Sequence, residues 1–430
     1  MASLEQRDHA VSPSRVTRVT RVTVSDLALG LAVFATTIHG AWVWRFGYSP
    51  TRDLFITLVL TGTAVVLGFW RELSIRRRVT VISFTTATWI GYMIWVASVG
   101  SVVASNTWRE WLLATGFLLF GVSLGRKRWP GWSSVFVFLA LLLGVYQALA
   151  LILARDRLAS TLEGPGEFYS DRPMSASLAL IMVLGFVLLL SRPRPRTNVG
   201  DLVGAGFLGI SAVLSQHRSV WVSLFIAVIL LAWGNVRRGR VGRGWLLALM
   251  SPIGYAGLAL VLSSTVAISL FPGGNVTAVG SVGVPESAAS TATVAWRWEM
   301  WESRLTASRS LMEWLFGCVF GVSPVKWPGT EVMNGFISGH NAMVDTITMY
   351  GLVGLVVVCT MLWQAVGSPR MLLSPAGIFV CASLGFSVFY TLPSWSWLVI
   401  GVALAYASTG RSSPDGGRVA DRESLLVGDP

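Results

Sequence analysis

The chain has 430 residues, of which 53% are hydrophobic and 13% are charged, and its formal net charge is +12. Soluble domains carry about 25% charged residues, so this composition excludes an ordinary soluble domain and indicates an integral membrane protein. The basic residues fall in short clusters between apolar segments, a pattern that argues against a nucleic-acid-binding surface.

Apolar segments of membrane-spanning length recur along most of the chain. A bilayer core about 30 Å thick requires about 20 apolar residues per helix, with about 17 to 25 tolerated. By this criterion the predicted transmembrane helices lie at about 24–44, 53–70, 79–104, 108–125, 130–154, 174–191, 199–215, 219–234, 244–270, 341–363, 371–390 and 394–409. The sequence therefore predicts an all-α integral membrane protein with about 12 transmembrane helices.

The distribution of lysine and arginine predicts the orientation of these helices. Basic residues are retained on the cytoplasmic side of a membrane. An N-terminus in the cytoplasm places 22 of the 33 Lys and Arg residues on that side, in clusters such as "RELSIRRR" and "NVRRGRVGRG". We therefore predict a multi-pass protein of the inner (plasma) membrane with both termini in the cytoplasm. The polar tails, 1–23 and 410–430, are predicted to be disordered.

A long extracytoplasmic loop, 271–340, separates predicted helices 1–9 (24–270) from predicted helices 10–12 (341–409). Long loops on a rigid scaffold tend to carry function. The stretch "TVAWRWEMWESRLTASRSLMEWLFG" has apolar residues at three- and four-residue steps, which predicts an amphipathic helix over about 294–316. We expect its apolar face to lie against the membrane or the protein body; this face includes Trp298, Trp301 and Leu305.

The charged residues of this predicted helix divide between the two edges of its apolar face. Arg309 has Glu313 four residues away, as in a solvated i,i+4 ion pair. Arg297 and Arg304, on the other edge, have no acid three or four residues away on the same helix. An arginine without such a partner is either an ordinary surface residue or a residue that binds a ligand.

Two further places combine polar residues with predicted spans. In "LSQHRSVWVSLF", His217 and Arg218 fall in a short extracytoplasmic turn, where a charge is costly unless it is paired or functional. Arg218 could alternatively extend to lipid headgroup phosphates. In "SGHNAMVDTITMYGLVGLVVV", His340 and Asn341 stand at the head of the tenth predicted span. His340 is either a polar group that caps this helix or a functional histidine.

At these three places the chain resembles the O-antigen ligase and polymerase superfamily of membrane glycosyltransferases. The family has a serine-containing turn that ends in arginine before a span, as in "SQHRSVW", and a loop arginine four residues before a tryptophan, as with Arg297 and Trp301. It then has His-Asn, a polar residue five positions after the histidine, and Gly-x-x-Gly, which are similar to His340, Asn341, Asp345 and the glycines of "GLVG". The chain departs from the family in two positions: His217 replaces a small polar residue, and Asp345 replaces the usual glutamine.

The resemblance implies transfer of a sugar chain from a polyprenyl-diphosphate donor to an acceptor hydroxyl on a glycan, lipid or protein. It implies that Arg218 and Arg297 hold the diphosphate, because a planar guanidinium matches phosphate oxygens, and that His340 is the base. Asn341 would orient the histidine or a sugar, and we add Arg304 and His217 as further candidates for substrate binding. We expect no cofactor and no metal site.

Two other classes of function are compatible with the sequence. A polytopic transporter or flippase for a lipid-linked sugar would share the number of spans and the cationic residues, although the two halves of the chain show no evident repeat. A non-catalytic scaffold of an envelope complex would tolerate alanine at Arg218, Arg297 and His340. These classes differ from a transferase in that neither forms a glycosidic bond.

Overall fold

The structure is a computed structural model that describes residues 50–69, 73–99, 106–126, 131–153, 174–192, 198–215, 217–237, 243–262, 298, 301–302, 304–306, 309–317 and 341–409. The described residues form helices and their connections, with no strand among them. The helices are α1 Pro50–Val66, α2 Ile75–Val99, α3 Asn106–Arg126, α4 Gly131–Leu153, α5 Ala176–Leu190, α6 Val199–Leu214, α7 Arg218–Arg237, α8 Arg243–Leu262, α9 Leu311–Phe316, α10 Ala342–Val366, α11 Pro369–Leu372, α12 Pro375–Ser387 and α13 Ser396–Thr409.

Helices α3, α5 and α13 are each buried along most of their length. Helix α5 is buried throughout from Leu178 to Leu190 and packs against α4, α6 and α7. A helix that is apolar on all sides needs apolar surroundings on all sides, which its neighbours supply. Helices α3 and α13 cross closely, since a Cβ atom added at Gly121 would overlap the backbone of Leu398. Small residues allow such close crossings between membrane helices.

Eleven of the twelve predicted spans overlap helices of the structure, and the predicted span at 24–44 lies outside the described residues. Within the part of the chain that the structure describes, three helical segments are long and apolar enough to cross a membrane: Trp132–Ala150, Ser219–Arg237 and Ala342–Val366. Other apolar helices, such as α5 and α12, have between 10 and 17 residues. The all-helical fold and the presence of candidate spans are therefore confirmed, whereas the number of spans stays a prediction.

Helix α10 is interrupted near its middle. Gly351 has φ 66° and ψ −165°, which no helical residue adopts, so the helix consists of a segment before this residue and a segment after it. Gly317, the residue that ends α9, lies beside this interruption and has φ 75°. A Cβ atom at either glycine would overlap backbone atoms beside the other, so the end of α9 fits into the break in α10.

The amphipathic helix predicted over 294–316 is not continuous. Residues 301–302 and 304–306 are helical, but Arg309 and Ser310 are not. Ser310 caps the separate helix α9: its hydroxyl accepts the Glu313 amide proton, and the Glu313 carboxylate accepts the Ser310 amide proton. This capping box stabilises a new helix start, and the prediction missed it although Ser-x-x-Glu is present in the sequence.

The apolar residues of this segment lie at the surface of the described structure. The exposed fraction is 64% for Trp298, 75% for Leu311 and 50% for Met312. Arg304, in contrast, is 3% exposed and faces the protein. Arg304 is therefore turned toward the protein, whereas Trp298 and Leu305 are exposed. The expectation that Trp298, Trp301 and Leu305 face the membrane or the protein body stays a prediction.

Candidate functional site

A short turn after α12, residues 388–391, directly contacts two of the three regions that the sequence singled out. It contacts the start of α10 at Asn341 and Asp345, through Val388 and Thr391. It contacts the start of α7 at His217, through Tyr390. The 388–391 turn therefore links the start of α7 to the start of α10.

Asn341 determines where α10 begins. Its side-chain oxygen accepts hydrogen bonds from the amides of Met343 at 2.9 Å and Val344 at 3.1 Å, the geometry of an N-cap. Its side-chain nitrogen donates to the Val388 carbonyl at 3.0 Å. One amide group thus starts the helix and fastens it to the 388–391 turn, and in the sequence it directly follows His340.

Asp345 lies in the first turn of α10 and is fully buried. Its Oδ1 accepts a hydrogen bond from Nη1 of Arg304 at 3.0 Å, and its Oδ2 accepts one from the Thr391 hydroxyl at 2.7 Å. A buried carboxylate needs both an opposite charge and hydrogen-bond donors, and it has both here. The pair joins the predicted extracytoplasmic segment to α10.

The backbone around Arg304 is held by a second arginine. Arg309 donates from Nη2 to the Arg304 carbonyl at 2.6 Å, and its guanidinium lies 5.2 Å from the centre of the Trp314 ring. The ion pair predicted between Arg309 and Glu313 is therefore wrong: the Glu313 carboxylate belongs to the capping box at Ser310. Arg309 thus contacts both helical stretches of the segment, the first at Arg304 and the second, α9, at Trp314.

His217 is buried at the start of α7. Its Nε2 lies 2.9 Å from the carbonyl oxygen of Met174, which precedes α5. A carbonyl can only accept, so Nε2 carries the proton of this hydrogen bond. The edge of the His217 ring meets the Tyr390 ring at a centroid distance of 6.5 Å, and Tyr390 in turn stacks on Phe386 of α12. His217 therefore ties α5, α7 and α12 together.

The structure brings together three of the six predicted site residues. Asn341, Arg304 and His217 all lie within one or two contacts of the 388–391 turn. Arg218 is the first residue of α7, and its side chain is outside the described residues. His340 and Arg297 also lie outside them. The roles assigned to these residues in substrate binding and catalysis stay predictions.

Three residues in the contacts around the 388–391 turn were not predicted as site residues from the sequence: Asp345, Thr391 and Tyr390. Asp345 appeared only as part of a motif, although an acid inside an apolar span is costly unless it is paired and thus signals a partner. Thr391 gave no signal, because a single hydroxyl residue in a turn is common in any chain. Tyr390 likewise gave no signal in the sequence.

Two helix starts with positive potential lie beside the 388–391 turn. Helices α7 and α10 both begin beside the 388–391 turn, and the N-terminus of a helix carries a partial positive charge of about half an elementary charge. Arginine side chains are usual ligands of phosphate groups. At α10 the amides of Met343 and Val344 are already bound by the side-chain oxygen of Asn341. Arg218 lies at one of these helix starts, and His340 directly precedes the other.

No protein-family model matches this chain, and no curated protein sequence matches it. The similarity to the O-antigen ligase and polymerase superfamily therefore depends on the three quoted motifs.

Proposed function

We propose that the protein is a membrane glycosyltransferase, a glycan ligase or polymerase, that transfers a sugar chain from a polyprenyl-diphosphate donor to an acceptor hydroxyl at the extracytoplasmic face. The observation that carries the proposal is the convergence of the starts of α7 and α10 on the 388–391 turn. This convergence supports a common site for Arg218 and His340, which are far apart in sequence.

In the proposed reaction His340 accepts the proton of the acceptor hydroxyl. The acceptor oxygen forms a bond to the anomeric carbon of the donor sugar while the bond from that carbon to the phosphate oxygen breaks. The electron pair of the broken bond leaves with the polyprenyl diphosphate, whose charge Arg218 and Arg297 stabilise. The residues described around them hold the helix starts in place: Asn341 fixes the start of α10, and His217 fixes the start of α7.

Purified protein in nanodiscs, supplied with a polyprenyl-diphosphate sugar and an acceptor glycan, tests this proposal. We expect a glycosylated acceptor and free polyprenyl diphosphate in equal amounts. Movement of labelled donor across vesicles without formation of a glycosidic bond would instead establish the flippase alternative. In cells, a deletion strain should accumulate the lipid-linked intermediate.

The orientation of the site is tested separately with topology reporters. A reporter fused at Gly239, within a basic cluster, should report the cytoplasm, and one fused at Gly280 should report the outside. The opposite result at both positions would place the proposed site in the cytoplasm, where it would meet a donor before its export.

A further inference from the structure

Arg304 and Asp345 form an ion pair that is almost completely removed from solvent. The side chains are 3% and 0% exposed, their closest atoms are 3.0 Å apart, and they are separated by 41 residues in sequence. Burial of two charges has a large desolvation cost that their attraction only offsets when the geometry is good, so such a pair is weak evidence for stability as such. Its presence points to a role in fixing one particular arrangement.

The same segment is attached to α10 at a second point. Asp345 and Gly351 lie on α10, and they contact Arg304 and the end of α9 at Gly317, respectively. The segment from Arg304 to Gly317 is thus held on α10 by a directional charge pair at one end and by a close backbone contact at the other. Two attachments define both the position and the rotation of the segment, which a single one would not.

We propose that Arg304 and Asp345 are positioning residues. Their ion pair holds the extracytoplasmic segment, which carries Arg297 seven residues before Arg304, against the start of α10, which His340 precedes. Thr391 fixes the second oxygen of Asp345 and so aligns the pair with the 388–391 turn. Arg304 is then a ligand of Asp345 and does not bind the donor phosphate. The inference rests on the proposed function, in which Arg297 holds the donor and His340 activates the acceptor.

Amide substitutions separate positioning from phosphate binding. Arg304→Gln alone and Asp345→Gln alone each leave a buried charge without its counterpart, so we expect both to lower the melting temperature and the transfer rate. The double variant R304Q/D345Q removes both charges and leaves two amides that can hydrogen-bond to each other. We expect the double variant to regain the melting temperature to within a few degrees and the donor Kd to within about twofold of wild type. A double variant that folds like wild type but has lost donor affinity as Arg297→Gln does would overturn the proposal, because Arg304 would then bind the donor.

A charge-conserving variant separates positioning from a purely structural role. Asp345→Glu keeps the ion pair but lengthens the acid by one methylene, so we expect a melting temperature and a donor Kd close to wild type. The transfer rate at saturating substrates should fall by about 10- to 100-fold, because a displacement of about 1 Å is sufficient for such a loss. An unchanged transfer rate in Asp345→Glu would show that the pair is only structural.

Asp201→Glu is the matched control, since Asp201 pairs with Arg192 at an exposed position. It should leave the melting temperature, the donor Kd and the transfer rate unchanged.

Measurements on the wild-type protein separate failure of the proposed function from failure of the positioning role. If wild type neither binds the polyprenyl-diphosphate donor nor forms product, the proposed function fails. If wild type is active and Asp345→Glu transfers at the same rate, only the positioning role fails.

Discussion

The two ends of the helical bundle each contain an arginine–aspartate ion pair, and the pairs differ in burial and in what they connect. At the end of α5, Arg192 pairs with Asp201 of the next helix, and these side chains are 40% and 19% exposed. Beside the start of α10, Arg304 and Asp345 are buried and join distant parts of the chain. An exposed pair across a short connection has little effect on folding, whereas a buried pair between distant elements specifies their arrangement.

The other polar contacts of the two ends show the same difference. Near Arg192, the buried indole nitrogen of Trp245 donates to the Leu190 carbonyl, which anchors α8 to the end of α5. Near Asp345, the 388–391 turn contacts α7, α10 and, through Asp345, Arg304. Among the described residues, the contacts near Arg192 are pairwise, whereas those near Asp345 form a connected network. We infer that substitutions at the network end affect function and that those at the Arg192 end do not.

The largest expected effect is the loss of the proposed base, His340. His340→Ala should reduce transfer by about 10²- to 10⁴-fold, the usual contribution of a general base. Donor binding should remain close to wild type, because the histidine acts on the acceptor. Rates of glycan transfer and equilibrium binding of a polyprenyl-diphosphate donor measure the two effects in the same preparation. Wild-type transfer by this variant would remove His340 from the mechanism.

The next largest effect is expected at Arg218 and Arg297, the two arginines proposed to bind the donor. Alanine at Arg218 or Arg297 should weaken donor binding by about 10- to 100-fold, since a hydrogen bond to a charged group contributes about 1.5–3 kcal/mol. Lysine should restore only part of the affinity, because it offers a point charge where arginine offers two parallel donors. Titration of each variant with donor measures this difference. If replacing either arginine leaves donor affinity unchanged, the proposed donor-binding role of both arginines is wrong.

The helices at both ends could be predicted from hydropathy because each is built from consecutive apolar residues. The prediction gave α4 as 130–154, for example, and the structure has Gly131–Leu153. The ion pair between Arg304 and Asp345 could not be predicted in this way, because it depends on how two elements pack and not on spacing within one helix. Arg304 has no acid three or four residues away on its own helix, and its partner, Asp345, lies on another helix.

The interruptions of helices were also missed, and for a different reason. The predicted span 371–390 contains a helix start at Pro375, where Ser374 is the N-cap, and α12 ends at Ser387. Hydropathy averages over such positions, since serine and proline in an apolar stretch hardly change the mean. The sequence does contain local signals of a helix start at both places: Ser-Pro at Ser374 and Ser-x-x-Glu at Ser310. Each signal predicts that a new helix begins inside the segment.

A smaller effect, on stability, is expected at the contact between α9 and α10. Gly351→Ala places a side chain at φ 66° and against the backbone of Leu315 and Phe316, so it should destabilise the protein by at least about 1–3 kcal/mol. Gly62→Ala is the matched control because Gly62 is helical and has no neighbour within 4 Å of an added Cβ. It should change stability by no more than about 1 kcal/mol. Thermal unfolding of both variants in the same detergent compares them, and equal melting temperatures would contradict the close glycine contact.

The smallest effect is expected at the exposed ion pair. Asp201→Asn removes the charge that pairs with Arg192 but keeps a side-chain oxygen that can accept a hydrogen bond. Exposed pairs typically contribute about 0.2–1 kcal/mol, because water and salt already screen the charges and two long side chains lose freedom when they pair. The melting temperature should therefore change by only a few degrees, and added salt should reduce the difference from wild type further. Asp345→Asn, measured in parallel, should lower the melting temperature by a larger amount that salt hardly changes, because ions do not reach a buried pair. If the two variants show equal shifts and equal salt dependence, then burial does not separate the two ends of the bundle, and the contrast between them fails.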